Sequence, residues 1–412
     1  MSVAIRETPP ELPEAPIGLV AKAGQVAALV GGMTAELQRR LADEITQLEA
    51  QDALTRTAFA QALVAALGHA AEARAAIRSL LQTPRAQPAK AAGRRRRQLH
   101  WRLRWVLARL GPHAQARLIE GSGLWRPDRR RALREIQAYV ARRADPGAAP
   151  ESLMDQAWYL ARYPDVAELN LSPLLHYLVV GQGEGRDPHP LFQTSFYARS
   201  NAEELERDRA WPLGHFLHAG SAGLRDPHPL FDALHYVTQG ALLRPDEDLV
   251  SHYLREGWRQ GLSPHPLFDL AWYAAQAPQT AAQTPPLLHY VLEGAAAGLS
   301  PHPLFDPAWY LAQAPAAAAD PLSHYLVTGA AAGLSPSRWF DPKHYAAQPG
   351  ADLAEGVNPL IDYQQGGAWR VAEPAPGFAT LAYVAANAEL AQDGFTPLEH
   401  RARRATERRR PD

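Results

Sequence analysis

The sequence predicts an all-α protein, an α-solenoid of about seven short helical-hairpin repeats with an N-terminal helical region. Three observations carry this. Tyr159, Tyr197, Tyr236, Tyr273, Tyr310, Tyr345 and Tyr383 recur roughly 35 to 39 residues apart, a period that marks stacked repeats. The surroundings recur with them: Phe305-Asp306-Pro307-Ala308-Trp309-Tyr310, Pro321-Leu322-Ser323-His324-Tyr325, Gly329 and Gly333 repeat Phe268-Asp269-Leu270-Ala271-Trp272-Tyr273, Leu288-His289-Tyr290, Gly294 and Gly298. Each copy also holds two helix starts, and helices of two or three turns are marginal without neighbours.

One copy shows the logic. Asp306 is placed as an N-cap and Pro307 as the first helical residue, where its missing N–H would have had no partner. Asp320-Pro321 repeats that start. Leu322, Tyr325 and Leu326 then fall at i, i+3 and i+4 on one face. Gly329 is expected to end this second helix in a left-handed conformation. An extended Ser-Pro-His-Pro-Leu-Phe segment is expected to join the units. Gln193 and Ala379 stand where other units have the capping Asp, and Phe196, His235 and His344 where others have Trp. The array is read over residues 151–400, and residues 401–412 as a basic tail around Arg401, Arg403 and Arg404.

Before the array, residues 1–32 are rich in Pro, Glu and Ala with no sustained period, and are read as a disordered lead-in. Residues 33–83 show a helical period through Leu37, Leu41, Ile45 and Leu48, then Leu54, Phe59, Leu63 and Leu67. They read as a helical hairpin packed on itself or as a coiled coil that makes a homo-oligomer. Residues 84–150 form a basic arm and a capping helix. In the arm, Leu99, Leu103, Val106, Leu107 and Leu110 make an apolar stripe, with Arg94, Arg95, Arg96, Arg97, Arg102, Arg104 and Arg109 around it. Such a helix can pack in a core, lie on an anionic membrane surface, dock on a protein groove or hold phosphates. Basic charge alone reads no nucleotide sequence, so nucleic acid is the weakest of these partners. Leu133, Ile136, Tyr139 and Val140 share one face of a second helix, expected to cap the first unit.

Composition sets bounds. The chain has 412 residues, 46% of them hydrophobic and 21% charged, the balance of a soluble globular protein. It has no cysteine, which excludes disulfides, thiolate metal sites and cysteine nucleophiles. No run approaches the ~18 apolar residues of a membrane span, and Glu7, Glu11 and Glu14 stand where a secretory signal would carry positive charge. Cytoplasmic residence is expected, with the arm allowing a peripheral position at a membrane. The net charge of −1 hides an asymmetry: about 17 Lys/Arg against about 3 Asp/Glu over residues 85–143, and about 12 against about 28 over residues 151–400.

The repeated phrase Phe-Asp-Pro-Ala-Trp-Tyr, Pro-Leu-x-His-Tyr-Leu, Gly-x-x-x-Gly and Pro-His-Pro-Leu-Phe-Asp resembles the repeats found beside glycosyltransferase and other polysaccharide-assembly domains in bacterial proteins. The resemblance covers about 60% of the chain, and the Arg94–Leu110 stretch resembles the Arg/Leu-rich segments that precede such arrays. It implies a role accessory to surface-glycan assembly near the inner membrane. A full glycosyltransferase would add a nucleotide-binding α/β domain for which this chain has neither room nor pattern.

Candidate chemistry is sparse. His189, His228, His265 and His302 recur in the Pro-His-Pro-Leu segment, and His176, His215, His252, His289, His324 and His400 in the second helix. Within each series they lie one unit apart, whereas a tetrahedral metal site needs ligands converging at about 2 Å; a His bonded to a neighbouring backbone is the simpler expectation, and no cofactor is assigned. Trp158, Trp272 and Trp309 can stack on sugars, but their helical spacing favours packing between units. Asp246-Glu247-Asp248 resembles the Asp-x-Asp that holds a metal and a nucleotide sugar, so Asp246 and Asp248 are weak glycan or metal candidates. Gly181-Gln182-Gly183-Glu184-Gly185 mimics a phosphate loop but aligns with Gly329 and Gly333, the end of a repeat helix. The leading expectation is a non-catalytic scaffold with a protein partner, or an anionic membrane surface or lipid-linked glycan, at the arm's arginines. The alternatives are a glycosyltransferase-like enzyme and a glycan-binding module.

Overall fold

The structure, a computed structural model, describes residues 111–408 apart from 123, 126–131, 148–152, 170, 221–222, 245–246, 352, 354–355 and 388. The lead-in, the 33–83 region and the Arg94–Arg109 arm lie outside the described residues. Every regular element among the described residues is helical, and there is no strand.

The aspartates expected as caps act as caps. The carboxylates of Asp155, Asp232, Asp269 and Asp306 accept the N–H three residues on, at 2.8–3.1 Å. They start the first helices Gln156–Arg162, Ala233–Thr238, Leu270–Ala274 and Pro307–Gln313. Asp341 does the same for Pro342–Ala346. Thr194–Ser200 and Thr380–Ala386 complete the set of seven, and there Gln193 and Ala379 supply no side-chain cap.

The second helices have a form the sequence did not suggest. Pro173–His176, Pro212–His215, Leu249–His252, Pro286–His289, Pro321–His324 and Pro359–Asp362 each run straight into a five-residue π turn that ends on a glycine. This corrects the expectation for Gly329, which lies inside the π turn. The left-handed residue is Gly333, at φ 71°, and Gly298 matches it at φ 73°. Gly329 is required for a different reason: a Cβ there would overlap the Tyr310 hydroxyl, and Gly257, Gly294 and Gly367 stand in the same relation to Tyr236, Tyr273 and Tyr345.

The joining segment is also turned where an extended one was expected. The N–H of Phe192, Phe231, Phe268 and Phe305 donates to the carbonyl of His189, His228, His265 and His302, three residues back. The units follow each other through two recurring links. The first is a backbone rung from a cap residue to the next unit's turn: Asp155 to Pro188, Gln193 to Pro227, Asp232 to Pro264, Asp269 to Pro301 and Asp306 to Pro336, at 2.9–3.1 Å. The second joins second helices, with the Leu287 N–H donating to the Tyr253 hydroxyl at 3.0 Å and the Leu398 N–H to that of Tyr363 at 2.9 Å.

Helix Ala132–Ala141 enters this scheme as half a unit. Tyr139 accepts the Leu174 N–H at 3.1 Å, as Tyr253 and Tyr363 do further on, and donates to Gln156 at 2.7 Å. Ile136, Tyr139 and Val140 are buried in a core that continues through all seven units, so the helix covers the open side of unit 1. The largest fully buried side chains are tyrosines of both helix series, with Phe192. Trp158 and Trp272 are half-buried, but Trp309 differs from the expected packing role. Trp309 is 45% exposed, and its indole N–H is held by the Ser335 hydroxyl at 3.3 Å.

Candidate functional site

Each unit brings a tyrosine of its first helix against a polar residue of its second. The hydroxyls of Tyr159, Tyr197, Tyr236, Tyr273, Tyr310 and Tyr383 lie 2.6–3.0 Å from Nδ1 of His176, His215, His252, His289, His324 and His400. Unit 6 has Asp362 in place of the histidine, and Tyr345 donates to its carboxylate at 2.5 Å. A carboxylate can only accept, so in unit 6 the tyrosine donates. Burial pushes the other phenols above their ordinary pKa, as for Tyr236 and Tyr273, so they stay protonated and can donate as Tyr345 does. With the tyrosine donating, the histidine accepts at Nδ1 and its ring N–H is on Nε2.

That Nε2–H faces acidic groups in four units. Glu256 lies 3.4 Å from His252, Glu293 3.7 Å from His289, Asp393 3.6 Å from His400, and Glu204 3.7 Å from His215. Burial nonetheless lowers the pKa of His215, His252 and His400, with the carboxylates opposing it. These three histidines are therefore neutral at neutral pH.

The other histidine series is spent on the turn. Nδ1 of His189, His228, His265 and His302 accepts the N–H two residues on, at 3.0–3.1 Å. In unit 6 the Ser337 hydroxyl replaces it, accepting from the Trp339 N–H at 3.3 Å. The turn histidines thus bond a neighbouring backbone as expected. The second-helix histidines bond a tyrosine, a pairing the sequence reading missed. Its signal was the co-occurrence in unit after unit of a first-helix Tyr with a His 14 to 18 residues later.

Asp246 lies outside the described residues, as do all seven arm arginines. Asp248 is 2% exposed and caps helix Leu249–His252, accepting the Ser251 N–H at 2.9 Å and its hydroxyl at 2.5 Å. Glu247, between the two, accepts from Nε and Nη2 of Arg255 at 2.7 and 2.8 Å. Gly181 and Gly185 close unit 1's second helix, Gly185 at φ 72°. Among the described residues there is no group of three or more His, Cys, Asp or Glu arranged to hold a metal, and no helix long and apolar enough to cross a membrane.

Comparison of the chain with models of known protein families, with curated proteins and with solved structures gives no match.

Proposed function

We propose that the chain is an α-solenoid scaffold, accessory to bacterial surface-glycan assembly, which attaches through its Arg94–Arg109 arm to an anionic membrane surface. One observation supports this above the rest: the residues that recur from unit to unit are engaged in holding the units together. The first-helix tyrosines, both histidine series and the capping aspartates bond each other or the nearby backbone. Repetition here builds a frame, and function falls to what does not repeat, of which the arm, with seven arginines and no acidic residue from Arg94 to Arg109, is the most basic part. The serial rungs from each cap to the next turn support stacking of consecutive units into a solenoid. The glycan context rests on the resemblance of the repeat phrase.

Flotation of the full chain with vesicles containing anionic lipid, against neutral vesicles, tests the arm. Changing Arg94 to Arg97, Arg102, Arg104 and Arg109 to Glu is expected to abolish flotation; undiminished binding would refute the attachment. Manganese-dependent hydrolysis of a nucleotide sugar, lost in Asp246→Ala, would replace the scaffold with an enzyme.

A second reading, a glycan-binding module, draws on the exposed Trp309 ring. Quenching of tryptophan fluorescence by oligosaccharide, absent in Trp309→Ala, would establish it.

A further inference from the structure

The C-terminal helix Pro397–Glu407 departs from the other second helices. It stays α-helical for 11 residues, and Arg401 stands where units 1 and 3–6 have Tyr177, Tyr253, Tyr290, Tyr325 and Tyr363. Two residues on, Arg403 reaches back to unit 4. Its guanidinium pairs with the carboxylate of Asp269, 134 positions earlier in the chain, and with Glu399 at 2.8 Å. It also lies 4.0 Å from the centre of the Phe395 ring and 5.6 Å from that of Trp272.

The contact continues inward. Gln364 of unit 6 donates to Glu399 at 3.5 Å, and its amide nitrogen is 3.3 Å from Nε2 of His302, in the turn of unit 5. Residues of units 4, 5, 6 and 7 thus meet in one polar chain. Gln364 occupies the position of Leu178, Leu217, Leu254, Val291 and Leu326, so a polar amide stands where five other units are apolar. The positions of Glu399 and Arg403 vary from unit to unit, with Ser251 and Leu288 at the first and Arg255 and Leu292 at the second, and unit 7 fills both with charges that meet Gln364 and Asp269.

We propose that the C-terminal helix is an ionic clasp, fastening unit 7 to unit 4 through Arg403 and Asp269 and so setting how tightly the array curves. The geometry suits a strong but releasable link. The side chains of Arg403, Asp269 and Glu399 are 13%, 20% and 8% exposed, so salt screens them less than a surface pair, and losing one partner leaves a charge stranded out of water. Asp269 serves two ends at once: one oxygen caps its helix through the Trp272 N–H, and the other takes Arg403. The aromatic faces of Trp272 and Phe395 hold the guanidinium plane.

The experiment uses the full chain, with hydrogen exchange over residues 397–407 and the radius of gyration from small-angle scattering as readouts. Arg403→Glu and Asp269→Asn, which keeps a capping side chain, are expected to speed exchange in that helix at least tenfold and to enlarge the particle. The exchanged pair Asp269→Arg with Arg403→Glu is expected to bring both readouts back towards the wild-type values. Wild-type exchange or size in Asp269→Asn, or an exchanged pair as open as the single variants, overturns the clasp.

Discussion

The Tyr310 hydroxyl lies 2.6 Å from Nδ1 of His324, joining the two helices of one unit, and Tyr273 and His289 repeat the bond at 2.7 Å. The side chain of Tyr273 is fully buried and His289 is 9% exposed, so deleting the hydroxyl strands a ring nitrogen with little access to water. Tyr273→Phe is expected to cost about 1–3 kcal/mol, the penalty for an unsatisfied buried polar group. A double-mutant cycle with His289→Leu, read by chemical denaturation, separates the bond from the ring: the double variant should be less destabilised than the sum of the singles.

The same tyrosine explains why the first glycine of each pair resists substitution. In Gly329→Ala the new methyl meets the Tyr310 hydroxyl, which the bond to His324 keeps from moving aside. A loss of about 1–3 kcal/mol is expected, the usual cost of overpacking. Adding Tyr310→Phe to Gly329→Ala should recover part of it, since the clashing atom is then gone. Gly298→Ala has open space around its Cβ but φ of 73°, and there the loss, about 1–2 kcal/mol from left-handed strain, should be unaffected by any change at Tyr273.

Unit 2 offers a gain. Gln193 has the extended backbone of an N-cap, φ −95° and ψ 99°, but no side-chain bond to its helix, while Asp232 in unit 3 makes that bond to the His235 N–H at 2.8 Å. Gln193→Asp is expected to raise stability by about 0.5–1 kcal/mol, and Asp306→Ala to lower it by about 1 kcal/mol. Thermal melts of the two variants beside the wild type check both signs.

The helix starts were legible because Asp-Pro and Asp-x-x-Trp act within four residues, and a local signal needs no knowledge of the fold. The partner of each tyrosine was not, since Tyr236 and His252 lie 16 positions apart and meet only once two helices pack. The glycines show the limit most clearly. Gly329 and Gly333 are alike in the sequence; only the neighbouring Tyr310 hydroxyl and the backbone angle reveal that one makes room and the other turns the chain. Asp248 was singled out for its acidic neighbours, but its burial and the Ser251 bonds give it the role Asp320 plays in unit 5.

Acid should loosen the array through its turns. Burial lowers the pKa of His189 to about 4 and that of His228 to about 3, from an ordinary 6.5; Asp155 opposes the shift at His189, and His189 itself adds to it at His228. A histidine with a lowered pKa takes up its proton more readily when unfolded. Its contribution to stability is therefore full above pH 6.5 and is lost as pH falls towards the folded value, on the order of 3–5 kcal/mol for each residue. Asp187 works the other way. Burial raises its pKa to about 6, so protonation between pH 6 and 4 favours the folded chain and offsets one histidine in part. Burial also lowers His215, His252, His302 and His400 and also raises Asp320; the histidines outnumber the aspartates, so the melting temperature should fall between pH 6.5 and pH 4. His228→Gln should flatten that slope if its side-chain oxygen accepts the Leu230 N–H in place of Nδ1; an unchanged slope would mean that the acid response originates outside the turns.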